Sequence, residues 1–453
     1  MDKRLTLSSY ILIGSMLFGL FFGAGNLIFP VHMGQEAGSN VVSATIGFLV
    51  TGIGLPFLGV VAIGVSKSSG LFDLASRVHP IYGYIMTVLL YLTIGPFFAL
   101  PRTGTVSYEI GLAPYIANEY HTVGLAVFTI LFFFVALLFS LKPSKILTWV
   151  GKILNPLFLV FLAFLVIVSF LKPMGSISDA AIHGIYATDP FFKGFTEGYN
   201  TMDALASLAF GIIVVQTIKG LGVQSPRNIA IGTIKAGSVS VLLMGLIYGC
   251  LAYIGATSIG QYKLSENGGI ALAQIANYYF GSLGSILLAI IVTLACLKTA
   301  IGLITACSET FQELFPAFLS YKSYVVLFTI LSCLIANIGL TQIISLSIPV
   351  LMFLYPLAIT LILLALLSPL FKDRQIVYMM TTLCTLLVSI ADGINAMPES
   401  IKNQEGVQGF LIIYRNFLPF FDIGMGWIIP LVVGLGLGCI ISCFYGPVNT
   451  RKV

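Results

Sequence analysis

Charge is what this sequence most lacks. Asp, Glu, Lys and Arg make up 9% of its 453 residues, against roughly 25% in an ordinary soluble domain, while 58% of the residues are hydrophobic. That balance excludes a soluble globular protein. Long polar segments are missing too: the longest connections, near 172–192, 259–269 and 398–416, have the length of loops and not of folded modules. No HExxH, GxSG or GxGD pattern is present, and His32, His79, His121 and His183 lie far apart near span ends or in loops, which argues against an intramembrane hydrolase. The seven cysteines have no CxxC pair and sit in or beside apolar runs, so they read as small buried hydrophobes, neither a disulfide framework nor a zinc site.

What the chain has instead is apolar runs of membrane-crossing length. Twelve helices are expected, over about 8–32, 41–65, 80–110, 121–141, 147–171, 193–220, 227–258, 270–315, 323–340, 342–370, 375–397 and 417–445. The eighth is too long for one crossing, so residues 270–280 are expected to form a short helix ahead of the span proper. The apolar run behind "MDKRLTLSSY" has no small-residue cleavage pattern and reads as a retained first helix. With the N-terminus inside, the inner segments would hold 15 Lys and Arg residues (Lys3, Arg4, Lys67, Arg77, Lys142, Lys145, Lys152, Lys219, Arg227, Lys235, Lys322, Lys372, Arg374, Arg451 and Lys452). The outer segments would hold five: Lys172, Lys193, Lys263, Lys402 and Arg415. This asymmetry predicts a multi-pass membrane protein with both termini cytoplasmic. It also accounts for the net charge of +5 without a nucleic-acid partner; membrane lipid is the expected surrounding, and no protein partner is indicated.

Two of the spans contain residues that oppose a continuous helix. The first carries "FFGAGNLIFP", placing Gly23, Ala24, Gly25 and Asn26 near its middle; the sixth carries "EGYNTMDALASLAFG" at 197–211. Glycine weakens a helix by about 1 kcal/mol relative to alanine, and a backbone group left unpaired in lipid costs several kcal/mol. Gly19 and Gly23 form a GxxxG pair, so close helix packing is one reading. Packing has no need of a carboxamide at Asn26, and an opened turn offers N–H groups to a carboxylate and carbonyls to a cation or ammonium. A zwitterion uses both. Interrupted helices opening two blocks of five spans are the pattern of inverted repeats. The expected organisation of the single 1–453 transmembrane domain is therefore 8–171 and 193–370, followed by two accessory helices over 375–445.

The stretches "FFGAGNLIFP", "TGIGLPFLGV" (51–60), "YLTIGPFFALPRTGTVSYEIG" (91–111) and "ACLKTAIGLITACSE" (295–309) closely resemble the bacterial branched-chain amino acid:cation symporter family, also called the system II carrier. The similarity runs through essentially all twelve spans. It implies an all-α integral membrane protein of LeuT-like fold that takes up leucine, isoleucine and valine with Na⁺ or H⁺ by alternating access, with no cofactor. It also implies that the N–H groups at Ala24 and Gly25 face the substrate carboxylate, with Gly23 and Asn26 in the same site, and that the carbonyls of Gly19 and Phe22 face a cation. Relative to LeuT-like transporters this chain is one residue shorter between Asn26 and Pro30 and lacks an arginine before the aromatic-Pro pair, so the outer gate must be built differently.

In the sixth span the resemblance points to Asn200, Thr201, Met202, Asp203, Ala204 and Leu205. Asp203 is an ionisable group at membrane depth; it reads either as a contact for substrate ammonium or cation, or as a cap on the interrupted helix. Met202, Ala204 and Leu205 read as pocket lining or as packing. In the eighth span Ala295, Lys298 and Thr299 fall where LeuT-like transporters supply a carbonyl and two hydroxyls to sodium. Thr299 suits a hard cation; Lys298 has no lone pair to give while protonated, so it either points away or takes the sodium position, which would make the coupling ion a proton. Arg102 and Glu109, seven residues apart on one helix face, are expected to form an internal ion pair, with a gating contact as the alternative. Asp392 is placed near the outer end of the eleventh helix without a role. Other readings of the whole are a LeuT-like carrier for another neutral amino acid, or a sensor that binds an amino acid without moving it.

Overall fold

The computed structural model describes residues 5–141 and 146–444, with the side chains at 146–158 and 226 outside that description. Lys3, Arg4, Lys142, Lys145, Arg451 and Lys452, and the side chain of Lys152, which entered the charge asymmetry, therefore lie outside the described residues. Among the described residues the protein is all-helical, as lipid requires of a chain whose backbone groups must be satisfied internally. Its α-helices run in chain order as α1 (Leu7–Phe21), α2 (Ala24–Ala37), α3 (Val41–Leu49), α4 (Leu55–Ser66), α5 (Leu71–Ser76), α6 (Pro80–Leu92) and α7 (Ala99–Gly111). They continue as α8 (His121–Leu141), α9 (Ile146–Leu171), α10 (Pro190–Glu197), α11 (Asp203–Gly220), α12 (Pro226–Ser258) and α13 (Gly268–Leu314). The last are α14 (Tyr321–Ala336), α15 (Leu340–Phe371), α16 (Gln375–Asn395), α17 (Glu399–Lys402), α18 (Glu405–Phe417) and α19 (Ile428–Phe444). Eight stretches among the described residues are long and apolar enough to cross a membrane, and α1, residues 159–171, α14 and α19 are shorter apolar helices.

Polar side chains and backbone groups tie the helix ends into two layers. At one end, Arg77 donates to Asp373 (2.9 Å) and to the Ser66 carbonyl (2.6 Å), joining the close of α4 to the turn between α15 and α16. The start of α1 lies at this near end, where Leu5 meets Gly232. At the far end, the His183 N–H donates to the Glu36 carbonyl (2.8 Å) and Asn267 Nδ2 to Thr341 Oγ1 (3.1 Å). Asn267 also caps α13 by accepting from the N–H groups of Gly269 and Ile270 at 2.9 and 3.1 Å.

Between these layers the helices pack through small residues. A Cβ on Gly34 would run into the Ala252 backbone, and one on Gly255 into the Val31 backbone, so α2 and α12 approach reciprocally through two glycines. Within α13 the chain bends at Gly281, whose φ of 61° and ψ of −160° are not helical. A short helix thus precedes the long one, near the 270–280 division expected from length. The third span also bends, at Gly95 (φ −91°, ψ −123°) beside Pro96, between α6 and α7; proline withholds an N–H there and glycine tolerates the distortion.

Candidate functional site

Two breaks in helical geometry meet halfway between the layers. Helix α1 ends at Phe21, Phe22 is extended (φ −70°, ψ 101°), Gly23 is extended (φ −127°, ψ −166°), and α2 starts at Ala24. The opened residues are therefore Phe22 and Gly23; Gly25 and Asn26 already belong to α2. Asn26 is what makes the break tolerable. Its Oδ1 accepts the Gly23 N–H at 2.9 Å, replacing a bond the interrupted helix cannot supply. A Cβ on Gly23 would meet its neighbours at 3.6 Å or more, ordinary contact, so close helix packing does not explain that glycine.

The second break follows α10. Residues 198–201 form one tight 3₁₀ turn, Met202 adopts the left-handed region (φ 60°), and α11 begins at Asp203. The Thr201 hydroxyl donates to the Gly198 carbonyl (3.0 Å) and accepts the Asp203 N–H (3.3 Å). The Asn200 carbonyl accepts Arg102 Nη1 at 2.8 Å.

Asp203 joins the two breaks. Its Oδ2 accepts from Asn26 Nδ2 and from the Tyr248 hydroxyl (3.2 Å), and Asn26 also meets that hydroxyl. The carboxylate is 3% exposed and is not the cap of α11, a position held by Met202. The capping role falls on Asn26 and Thr201, while Asp203 bridges α2, α11 and α12.

A cavity of about 60 Å³ lies against both breaks. Gly23, Ala24, Gly25, Asn26, Thr201, Met202, Asp203 and Thr299 all line it. Ala24 and Gly25 present the first N–H groups of α2, which have no carbonyl one turn back. Ala204 and Leu205 are not part of its lining and are fully buried elsewhere. The wall of α11 is Asp203, Ala206 and Phe210, spaced i, i+3, i+7 on one face, which turns 204 and 205 away. Of the cation candidates, Gly19, Phe22 and Ala295 line a separate cavity of about 20 Å³ that adjoins the first at Gly23 and Ala24. Thr299 lies on the larger cavity, its hydroxyl donating to the Ala295 carbonyl at 3.1 Å and its methyl 3.6 Å from where a Cβ on Gly23 would stand. Lys298 is half-buried and lines neither cavity.

Arg102 is the residue sequence reasoning placed wrongly. It forms no ion pair with Glu109: seven residues of helix separate the two by about 10 Å along the axis, and the 2%-exposed guanidinium is used elsewhere. Besides Asn200 it donates to Ser347 of α15 and lies 5.1 Å from the ring centre of Phe29. It lines the cavity on the side toward the far end. Toward the near end, Phe210 is shared between this cavity and a wider one of about 520 Å³ that reaches Asp73 and Glu313. Tyr248 and Ser347 carried no sequence signal; their partners are 222 and 245 residues away.

Paired helix ends around a buried cavity, inside an all-helical membrane protein, define a solute carrier. Solved structures of similar fold include Mhp1, a nucleobase-cation-symport-1 family transporter, closed with bromovinylhydantoin bound (TM-score 0.61, 14% identity, 98% of this chain and 94% of that one). They also include MhsT in complex with L-phenylalanine (TM-score 0.52, 14% identity, 98% and 99% covered). At such identity the likeness is one of fold, and the fold is LeuT-like.

Sequence comparison is more specific. The family described as branched-chain amino acid transport protein matches residues 6–445. The branched-chain amino acid permease BrnQ of Bacillus subtilis is 47% identical over 98% of this chain and 99% of its own length. The branched-chain amino acid transport system 2 carrier protein of Pseudomonas aeruginosa is 39% identical over 96% of each. The chain belongs to the branched-chain amino acid transport protein family, a family of transporters and not of enzymes.

Proposed function

We propose that this protein imports leucine, isoleucine and valine across the bacterial cytoplasmic membrane together with a cation, by alternating access. The observation that carries the reading is the cavity at the two helix breaks. On one side it has N–H groups at a positive helix end for a carboxylate. On the other it has the Asp203 carboxylate and orphan carbonyls for an ammonium, and the apolar side chains of Leu20, Ile94, Phe210 and Leu303 complete its wall. Apolar walls discriminate by about 1–3 kcal/mol per methylene, so the three branched substrates would share one carrier, and charged side chains would be rejected by desolvation. The relatives, named as branched-chain amino acid permeases and carriers, support the same reading.

The organisation proposed is twelve spans in two inverted repeats, 8–171 and 193–370, with the first and sixth helices interrupted, 375–445 as accessory helices and both termini cytoplasmic. In that orientation the wide cavity reaching Asp73 opens to the cytoplasm. Arg102, laid over Phe29 and bonded to the 198–201 turn, forms the outer gate, and Phe210 forms the inner one. The alternative considered for Arg102 thus fits its contacts better than the ion pair.

Sodium is the proposed coupling ion, held by carbonyls of Gly19, Phe22 and Ala295 and by the hydroxyl of Thr299, all hard oxygen ligands. Lys298, away from both cavities, is not part of this set. Radiolabelled leucine uptake into proteoliposomes under separately imposed Na⁺ and H⁺ gradients tests the reading. Uptake should follow sodium, survive Lys298→Ala and fall at least tenfold in Thr299→Ala. Uptake driven only by protons and lost with Lys298→Ala would reverse the choice of ion, and absence of leucine flux under either gradient would overturn the transport mechanism.

A further inference from the structure

A second cavity, of about 170 Å³, lies toward the far end between α10, α15, α16 and the turn at 421–424. Its polar wall is made by Lys193, Glu197, Asn200, Asp392, Asn395 and Asp422. The charges there do not balance. Lys193 Nζ is 3.0 Å from Glu197 Oε2, and Asp422 Oδ1 is 2.6 Å from Arg415 Nε, so those four cancel in pairs. Asp392 is 1% exposed, and neither of its carboxylate oxygens has a hydrogen-bond partner. A buried carboxylate without a partner is among the most expensive groups a membrane protein can carry.

Of the other unmet groups on this wall, two are acceptor oxygens and one, the Tyr199 hydroxyl, can also donate. Asn200 Oδ1 and Asn395 Oδ1 are buried and also without donors, whereas the Asn200 amide nitrogen is engaged by Glu197 at 2.9 Å. Four buried acceptor oxygens thus share one unmet donor on this wall, the Tyr199 hydroxyl, which can serve one of them, and a positive charge would serve the rest. Among the described residues, Lys193, the one cation on the wall, is occupied by Glu197.

We propose that this outer cavity is a binding site for a small monovalent cation, held by Asp392 with the amide oxygens of Asn395 and Asn200. Oxygen-only coordination by one carboxylate and neutral carbonyls suits an alkali ion, and equally the ammonium head of a small amine. The site is separate from the central cavity but not isolated from it. Asn200 belongs to both walls, and its backbone carbonyl is the acceptor for Arg102. A cation drawn to its side-chain oxygen therefore acts on the turn that the proposed outer gate holds.

Trp427 provides the readout. It is buried near the 421–424 turn, and the chain has only two tryptophans. In purified full-length Trp149→Phe protein in nanodiscs, Trp427 emission is followed during titration with NaCl, KCl or methylammonium chloride, choline chloride holding ionic strength constant. Saturation is expected with at least one of the three. A response to sodium or potassium identifies an alkali ion, and one confined to methylammonium identifies an amine. Asp392→Asn should raise the half-saturating concentration at least tenfold and Asn395→Ala at least threefold, the second deciding the matter if the first does not fold. Thr299→Ala, altered at the central cavity, should leave this response within twofold, so failure of the sodium assignment there remains distinguishable. No saturation with any cation, equal half-saturation in the wall variants, or a signal that follows pH alone would overturn the proposal.

Discussion

The two helix breaks at the central cavity are held open by different means. At Phe22–Gly23 the repair is local: Asn26, three residues on, satisfies the stranded Gly23 N–H and needs no neighbouring helix for that bond. At 198–202 the repair is partly borrowed, because the Asn200 carbonyl depends on a guanidinium from α7. A self-capped break is a fixed feature of the fold. A break whose carbonyl is satisfied from another helix is sensitive to where that helix stands, so a displacement of α7 is felt at this turn and not at the first.

The largest effect should come from Asn26→Leu. It leaves the Gly23 N–H unmet and takes from Asp203 one donor, Tyr248 keeping the other; one unmet group and one lost hydrogen bond to a carboxylate, at about 1–3 kcal/mol each, should lower leucine uptake by roughly 100-fold, with folded protein still recovered by size-exclusion chromatography. If uptake stays within threefold, the first break does not depend on its amide. Arg102→Gln should have a smaller effect, about tenfold on uptake, and should speed exchange of bound leucine to the outer face; a variant that loses uptake without faster exchange would mean that Arg102 is only a brace. Thr201→Ala removes both hydrogen bonds of the hydroxyl, to the Gly198 carbonyl and from the Asp203 N–H, together worth about 1–2 kcal/mol, and should cost roughly fivefold in uptake. The smallest change is expected from Gly23→Ala. The added methyl meets only ordinary contacts and φ −127° suits alanine, so uptake should stay within about threefold; a complete loss would show that the backbone itself must approach the substrate there.

Much of the architecture was legible because lipid leaves few options. Apolar runs marked the helices, and excess length marked the bend in the eighth span. Glycines followed by a carboxamide marked the first interruption, although Asn26 closes the break from inside α2 and does not lie within it. The bend at Gly95 and Pro96 was present in "YLTIGPFFAL" but is a backbone distortion within a long apolar run, and hydropathy does not respond to it. Positions 204 and 205 stayed open between pocket lining and packing, since a motif names consecutive residues while a helix face takes every third or fourth. Arg102 was misassigned for a related reason. A seven-residue interval puts two side chains on one face, but it says nothing about the axial gap between them, nor about a carbonyl on a turn 98 residues away. Tyr248 and Ser347 could not have been named, because pairings across hundreds of residues are made by tertiary packing alone.

The knot of Asn26, Asp203 and Tyr248 fastens the beginnings of α2 and α11 to α12. Three segments bound so tightly at one point travel as a single piece, so a leucine held against them would ride with that piece or stay put with it. Release to either compartment then falls to the opposing surfaces on α7, α13 and α15. Any small molecule that stapled those surfaces to the knotted piece would arrest the cycle without ever resembling an amino acid.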